Sequence, residues 1–320
     1  MTISSTGPQA PEVSAPGTVG TAAAPAPRRS VARALLRDPA AVACLGYIAL
    51  IVLMAVFAPL IVRVSGWDPY EFDQSAIDPD LGGTPVGSWG GISGSHWLGV
   101  EPGSGRDIFA RIVYGARSSL LIALAATLLT TVLGMVFGLL AGYFGGRTDM
   151  LISRVMEFLM AFPALIFMIA VLSALPADDR QYLLVLVISL FGWPYLARIV
   201  RGQTMSLKER EFVEAARASG ASRTAIVFTE ILPNLRSTVL VMVTLAVPGY
   251  IGTEAGLSFL GVGLVPPTPS WGQMISSSVS WYAVVPTYFL VPGVFLALLV
   301  LSFMVLGDHI RAAVQPGGRS

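Results

Sequence analysis

Long apolar segments are the feature of this sequence that most limits its fold. Residues 40–62 form a run of 23 residues without a charged side chain. As a helix this run would be about 35 Å long, which is enough to cross the hydrocarbon core of a bilayer. In the whole chain 12% of residues are charged, about half the fraction that is usual in soluble domains. The sequence therefore predicts an all-α integral membrane protein.

Five further apolar segments predict five more spans, which gives six transmembrane helices in total. These segments are residues 118–144, 155–175, 182–200, 237–260 and 285–307. Pro163 is expected to kink the third span, and Gly192 and Pro194 are expected to break the fourth. Six spans place both termini on the same side of the membrane.

The distribution of positive charge indicates which side this is. Of the 20 Lys and Arg residues, 15 fall on the N-terminal tail, the loops after the second and fourth spans, or the C-terminal tail. Cytoplasmic segments of membrane proteins carry such an excess, so both termini are predicted to be cytoplasmic. Residues 63–117 then form a long external loop. We expect its end, residues 107–117, to be a separate amphipathic helix at the membrane interface, with an anchoring role rather than a substrate role.

The chain divides accordingly into four predicted regions. Residues 1–38 are predicted to be a disordered cytoplasmic tail, because their Ala-, Pro- and Gly-rich start offers little to bury. Residues 39–117 hold the first span, the external loop and the interfacial helix. Residues 118–307 form the transmembrane core, which includes the polar loop 207–235, and residues 308–320 form a short cytoplasmic tail.

Two features lie inside predicted spans. Gly134, Gly138 and Gly142 follow one another at four-residue spacing, which is typical of close helix packing. Glu254 is a carboxylate within the fifth span, where a charge is costly unless it is paired or faces water. It is either a pathway or gating group or, as we favour, a structural acceptor of hydrogen bonds from backbone amides or from an arginine in the outer turns.

Several classes of function are not indicated. The net charge of +1 does not suggest a nucleic-acid partner. His96, His309 and Cys44 are far apart and have no spacing typical of a metal site. The only lysine, Lys208, follows Leu207 rather than a glycine, so no Walker A loop is present.

The polar stretch 207–235 separates two spans but has helical patterning. Glu211, Glu214 and Arg217 alternate with Phe212, Val213, Ala215 and Ala216, so a helix here has a charged side and a small apolar side. Gly220 is expected to end that helix with a positive φ. Ser222 can cap a second short helix, and Pro233 predicts a later break. The sequence thus predicts two short helices that meet at a glycine.

This stretch resembles the EAA loop of ABC-importer permeases. The matching residues are Glu214, Ala215, Ala216, Gly220, Leu232 and Pro233. The general pattern has isoleucine two positions before the leucine, whereas this chain has Glu230 there, followed by Ile231. In that family the loop is a coupling helix that docks on a cytoplasmic ATPase subunit. The resemblance therefore implies an ATPase-coupling role for the matching residues and for Glu211, with Glu214 capping backbone amides or pairing with a basic ATPase residue.

A second set of motifs resembles the dipeptide and oligopeptide permease subgroup of the same family. They are HWLGVEPGSGRDIFARIVYGAR at residues 96–117, GYFGG at 142–146, TEAGLSFLGVG at 253–263 and PPTPSWG at 266–272. This resemblance implies the type I ABC importer permease fold, with a cytoplasmic coupling helix between helices 4 and 5. It also implies that the chain is not an enzyme and has no cofactor of its own.

The subgroup further implies the partners and the setting. These are a second permease subunit, two cytoplasmic ATPases that bind ATP and Mg²⁺, an extracytoplasmic binding protein, and the lipids of a bacterial plasma membrane. Peptides are the first choice of cargo, with nickel or oligosaccharides as alternatives. An ion-coupled secondary transporter and a non-transporting scaffold are the readings from other classes, and neither accounts for the EAA-like loop.

Overall fold

The computed structural model describes residues 35–314, so the predicted disorder of residues 1–34 lies outside the described range. Helices make up most of the regular structure within it. They are α1 Pro39–Val56, α2 Ala58–Ser65, α3 Ile108–Phe144, α4 Gly146–Ala161, α5 Ala164–Ala174, α6 Arg180–Leu207, α7 Glu211–Ala218, α8 Arg223–Ala225, α9 Leu232–Phe259, α10 Trp271–Ser278 and α11 Pro286–Val314. A π-helical turn, Ile226–Ile231, joins α8 to α9.

Five helical segments in this range are long and apolar enough to cross a membrane, and the bent pair α4–α5 makes a sixth if it counts as one span. The prediction of an all-helical membrane protein is confirmed. α3 is 37 residues long, and the continuous segment from α8 to the end of α9 is also 37 residues long. Each is therefore about 55 Å long and extends well beyond the hydrocarbon core.

The first predicted span is helical but divided at Phe57, where α1 ends and α2 begins. Pro59 lies in the first turn of α2 and has no amide hydrogen to donate to the preceding turn, so the break follows from its chemistry. α2 ends at Gly66, whose φ of +83° suits glycine.

The loop between α2 and α3 has little regular structure, in line with its many Gly and Pro residues. It contains the 3₁₀ turn Gln74–Ala76 and two two-residue strands, β1 (Ile77–Asp78) and β2 (Thr84–Pro85), which pair antiparallel. Hydrogen bonds hold this loop against neighbouring elements; for example, the Thr287 hydroxyl on α11 donates to the carbonyl of Trp89 over 3.1 Å. The loop is therefore part of the folded body.

Buried polar side chains fix the loop to the start of α3. His96 lies between two carboxylates, with Nδ1 2.9 Å from Asp107 Oδ2 and Nε2 3.2 Å from Asp73 Oδ2. Asp107 also caps α3 by accepting from the Ala110 amide over 2.7 Å. Burial raises the pKa of the Asp107 carboxyl, whereas the hydrogen bond from Ser75 lowers the pKa of Asp73.

The prediction of a separate interfacial helix at residues 107–117 is wrong. This segment is the first part of α3, so the predicted boundary between residues 117 and 118 falls inside one continuous helix. Its Arg111 is fully buried rather than interfacial: it forms an ion pair with Glu101 and donates to the Gln273 amide oxygen over 2.8 Å. The hydrophobic spacing that suggested a membrane surface in fact marks a face packed against protein.

The glycine ridge of α3 packs against α6, which confirms the predicted close approach. A Cβ atom on Gly134 would lie 2.9 Å from the Leu196 side chain, and one on Gly138 would lie 2.7 Å from that of Val200. Gly142 is equally close to Thr204. Three turns of α3 thus approach α6 at distances that exclude any side chain.

The kink predicted at Pro163 is a sharp turn. α4 and α5 meet at an angle of 86° around Phe162 and Pro163. In contrast, the predicted break of the fourth span is wrong, because α6 continues through Gly192 and Pro194. Neighbouring helices can support a proline-containing membrane helix, and here Pro194 is buried and Gly192 packs against Tyr250.

Helical structure also occurs outside the predicted spans. The outer segment 261–284 contains α10, whose Trp271 is fully buried and donates to the carbonyl of Ile112 over 3.1 Å. Trp271 lies in a core that α1, α3, α9, α10 and α11 share. The predicted tail after residue 307 continues as helix α11 to Val314, since no residue in its first turns breaks a helix.

Candidate functional site

Helix α7 is a short amphipathic helix attached to the body of the protein by one face. Val213 is fully buried and belongs to the same apolar cluster as Ile226, Ile231 and Leu235, and Ala216 packs against this cluster. The prediction of a small apolar side is therefore confirmed for these two residues of α7. This contact fixes the orientation of the helix.

The opposite face of α7 is exposed. Glu211, Glu214 and Ala215 are all exposed, and Phe212 keeps 39% of its surface accessible. Phe212 and Ala215 thus do not belong to the buried side, contrary to the prediction from patterning. No backbone amide among residues 35–314 donates to the Glu214 carboxylate. The outward face combines carboxylates with an exposed aromatic ring, which suits contact with another protein.

Gly220 ends helix α7 as predicted. Its φ is +85°, its amide donates to Arg217 and the next amide, of Ala221, donates to Ala216, both over 3.0 Å. These two bonds form the Schellman motif that satisfies the last carbonyls of a helix. No atom lies within 4 Å of the position a Cβ would take, so the requirement for glycine here is conformational and not steric.

The segment after Gly220 differs in part from the prediction. The Ser222 hydroxyl caps α8 by accepting from the Ala225 amide over 3.2 Å, as expected. However, α8 is not an independent short helix, because the π turn connects it directly to α9. Pro233 lies in the first turn of α9, where a proline is tolerated, and it makes no break. Leu232 and Pro233 are both half-buried.

Glu230, which stands where the general EAA pattern has isoleucine, lies in the π turn. A π turn holds one residue more than an α turn, so the position that faces the core moves by one. Ile231 is fully buried in the cluster beneath α7, whereas Glu230 is half-buried and its backbone carbonyl accepts from Asn234. The buried apolar side chain at this turn is Ile231, next to Glu230.

Glu254 lies apart from α7, inside the helical body. It is fully buried and accepts hydrogen bonds from the hydroxyls of Ser119 and Ser258, each over 2.8 Å. Both partners are serine hydroxyls, on α3 and α9, and not the expected backbone amides or arginine. This geometry favours the structural-acceptor role over a gating role.

Sequence reasoning missed one ion pair that lies near this unit. Asp149 on α4 binds the guanidinium of Arg201 on α6 through both carboxylate oxygens. A bidentate pair of this kind fixes the geometry of the two helices. The two residues are 52 positions apart, so no local pattern in the sequence connects them.

Comparison with known families identifies the chain. Residues 134–316 match the family model described as the inner membrane component of binding-protein-dependent transport systems. The chain belongs to this family. Residues 27–81 match a second model, described as the N-terminal transmembrane domain of oligopeptide transport permease C. The predicted role as a membrane permease subunit, and not as an enzyme, is confirmed, with ATP hydrolysis assigned to separate subunits.

Two relatives extend this match over most of the chain. An oligopeptide transport system permease protein, OppC, of Haemophilus influenzae is 36% identical and covers 90% of this chain and 88% of its own length. A dipeptide transport system permease protein, DppC, of Alkalihalophilus pseudofirmus is 35% identical and covers 97% and 96%. The predicted resemblance to this subgroup is therefore confirmed.

A solved structure gives the fold independently. An inward-facing structure of the MetNI methionine ABC transporter aligns with a TM-score of 0.51 at 21% identity, covering 64% of this chain and 96% of that one. At this identity the likeness concerns the fold alone. It supports the helical architecture of an ABC importer permease.

Proposed function

We propose that this chain forms half of the translocation pathway of an ATP-driven importer for dipeptides or oligopeptides. An extracytoplasmic binding protein delivers the peptide, a second and different permease completes the pathway, and two ATPases supply the energy. The printed functions of the oligopeptide and dipeptide permease relatives support peptide as the cargo. In this proposal α4–α5 is one bent span, which makes six spans with both termini cytoplasmic.

The observation that carries this proposal is the geometry of α7. One face of this helix is fixed by Val213, while Glu211, Phe212 and Glu214 remain available on the other. Its C-terminus connects through Gly220, α8 and the π turn to the spanning helix α9. A partner that moves α7 therefore moves the cytoplasmic end of a membrane span, because packing leaves little slack between them. We assign α7 as the coupling helix, with Ala215 on its outward face and with Ala216, Leu232 and Pro233 as its support.

The test is purification of the complex from native membranes, followed by uptake of a labelled dipeptide and a labelled octapeptide into proteoliposomes. We expect two ATPases and a second permease to co-purify, and we expect uptake to require the binding protein and ATP. A binding protein loaded with nickel or an oligosaccharide would replace the cargo but keep the mechanism. Uptake that continues without ATP and stops when an ion gradient collapses would contradict the proposal and favour a secondary transporter.

A further inference from the structure

A cavity of about 650 Å³ lies beside the coupling helix and is not used by the proposed mechanism. The end of α3, the end of α6, the C-terminal part of α7 and the start of α8 surround it. The lining residues that matter here are Tyr143, Phe144, Lys208, Arg217, Ser222 and Arg223. Five of these side chains can donate a hydrogen bond or carry a positive charge, and they come from four separate elements or turns.

The cavity has an excess of positive charge. Lys208, Arg217 and Arg223 line it with one carboxylate, Glu209. Within residues 35–314, none of these three cations lies within 4.0 Å of a carboxylate oxygen. In contrast, Arg201 nearby is paired with Asp149. Three cations that line one cavity with a single carboxylate favour the binding of an anion there.

The position of the cavity indicates the surroundings of that anion. Tyr143 and Phe144 are the last two residues of the spanning helix α3, and Phe144 is 52% exposed. Aromatic side chains at the end of a span are typical of the membrane–water interface. The cavity thus lies at the end of a spanning helix, on the cytoplasmic side if the proposed orientation holds.

We propose that this cavity binds a phosphate group, carried by an anionic phospholipid headgroup or by soluble phosphate. Arg217 and Arg223 provide planar guanidinium groups that match two phosphate oxygens each, and Lys208 adds a third positive charge. The Ser222 hydroxyl adds a donor, since its oxygen accepts from Ala225 and its hydrogen remains available. The aromatic pair contacts the less polar part of a lipid ligand.

A bound phosphate would connect the elements that meet at Gly220. Arg217 belongs to α7 and precedes the glycine, whereas Arg223 belongs to α8 and follows it. A single anion held by both would fix the turn between the coupling helix and the spanning helix α9. A ligand in this site would thus stiffen the proposed connection between α7 and α9. Phosphate binding itself does not require transport.

The test uses the purified complex in nanodiscs. We would compare the wild type with the triple variant Lys208→Gln, Arg217→Gln, Arg223→Gln and with the single variant Arg223→Gln. The control is Arg147→Gln, Arg198→Gln, Arg210→Gln, which removes the same charge from exposed residues outside the cavity lining. One arm measures phosphatidylglycerol retained by the complex, using native mass spectrometry. The other measures binding of radiolabelled inorganic phosphate in nanodiscs of phosphatidylcholine alone.

We expect the pocket variant to lose at least about tenfold in affinity for one of these ligands, and the control to lose less than about twofold. Loss of phosphatidylglycerol identifies the lipid as the source, and loss of inorganic phosphate identifies soluble phosphate. Equal losses in both triple variants, or binding of neither ligand by the wild type, would overturn the site. Loss of ATPase subunits without a change in either ligand would instead assign the cavity to the ATPase contact. Because both arms measure binding, a negative result leaves the proposed transport function untouched.

Discussion

Ser119 on α3 donates a hydrogen bond to Glu254 on α9, with 2.8 Å between the two oxygens. Ser258 donates to the other carboxylate oxygen over the same distance. Glu254 is therefore the point at which two spanning helices share a buried polar contact. Buried polar groups in a membrane are costly unless they are satisfied, and here each carboxylate oxygen has a donor.

We predict that Glu254→Ala destabilises the complex and that Glu254→Gln changes it little. Alanine leaves two serine hydroxyls without an acceptor, which costs about 2 kcal/mol, whereas glutamine keeps one acceptor oxygen and most of the volume. Thermal unfolding of the purified complex, measured together with uptake, checks this. A gating role requires the reverse pattern, in which Glu254→Gln keeps its Tm and loses uptake.

Replacement of Gly220 tests whether the turn transmits motion. Gly220→Val places a β-branched residue at φ +85°, which costs about 1–3 kcal/mol of backbone strain. We expect α7 to shift or loosen, so that ATP hydrolysis continues while the number of peptides transported per ATP falls several-fold. The matched control is Gly220→Asn, because asparagine tolerates positive φ better than other residues and should retain coupling. Unchanged uptake by the valine variant would remove the lever role from this turn.

Charge reversal on α7 tests its outward face. Glu214→Lys places a positive charge opposite the basic ATPase residue with which Glu214 is proposed to pair. The two positive charges repel each other, so the ATPase should bind at least about tenfold more weakly. Glu71→Lys, at an exposed position of the outer loop, makes the same change in charge and should have no effect. Co-purification of the ATPase at several salt concentrations gives the measurement. An equal effect of both variants would show a general response to charge.

The two histidines provide a matched comparison of a buried and a partly exposed histidine–carboxylate contact. His96→Ala leaves Asp107 and Asp73 without their common partner, and Asp107 is 2% exposed. We expect a loss of about 3 kcal/mol and faster proteolysis of the outer loop. His309→Ala removes a pair with Asp38 in which both side chains are partly exposed, so the loss of stability should be much smaller than that of His96→Ala. Equal sensitivity of the two variants would contradict this account of the loop.

The α3–α6 interface predicts a strong effect of the smallest possible side chain. Gly138→Ala places a Cβ 2.7 Å from Val200 and 2.8 Å from the carbonyl of Ala197, which requires the helices to separate and costs about 1–3 kcal/mol. Gly46→Ala on α1 meets nothing within 4 Å and serves as the control. Thermal unfolding of the complex measures both, and a neutral Gly138 variant would show that the interface can adjust.

Several features follow from the sequence alone because they depend on local chemistry. Long runs of apolar residues predict spanning helices, since an unpaired backbone amide is too costly in lipid for other structures. The C-terminus of α7 and the N-terminus of α8 also follow from the sequence, because Gly220 and Ser222 act within one or two turns. The family resemblance belongs to this group as well, since it rests on spacing along the chain.

Other features were decided only by contacts between distant segments. The hydrophobic spacing of residues 108–113 predicts one apolar face but does not say what covers it, and α10 with Trp271 covers it here. Likewise, Pro194 predicts a break, but neighbouring helices support α6 through this residue. Pro233 also predicts a break, but it lies in the first turn of α9, where a proline is tolerated. Asp149 and Arg201 meet across 52 residues. Sequence patterns determine which segments become helices. Tertiary packing decides which faces are buried and which buried charges find partners, because the energies of these contacts depend on residues that are close only after folding.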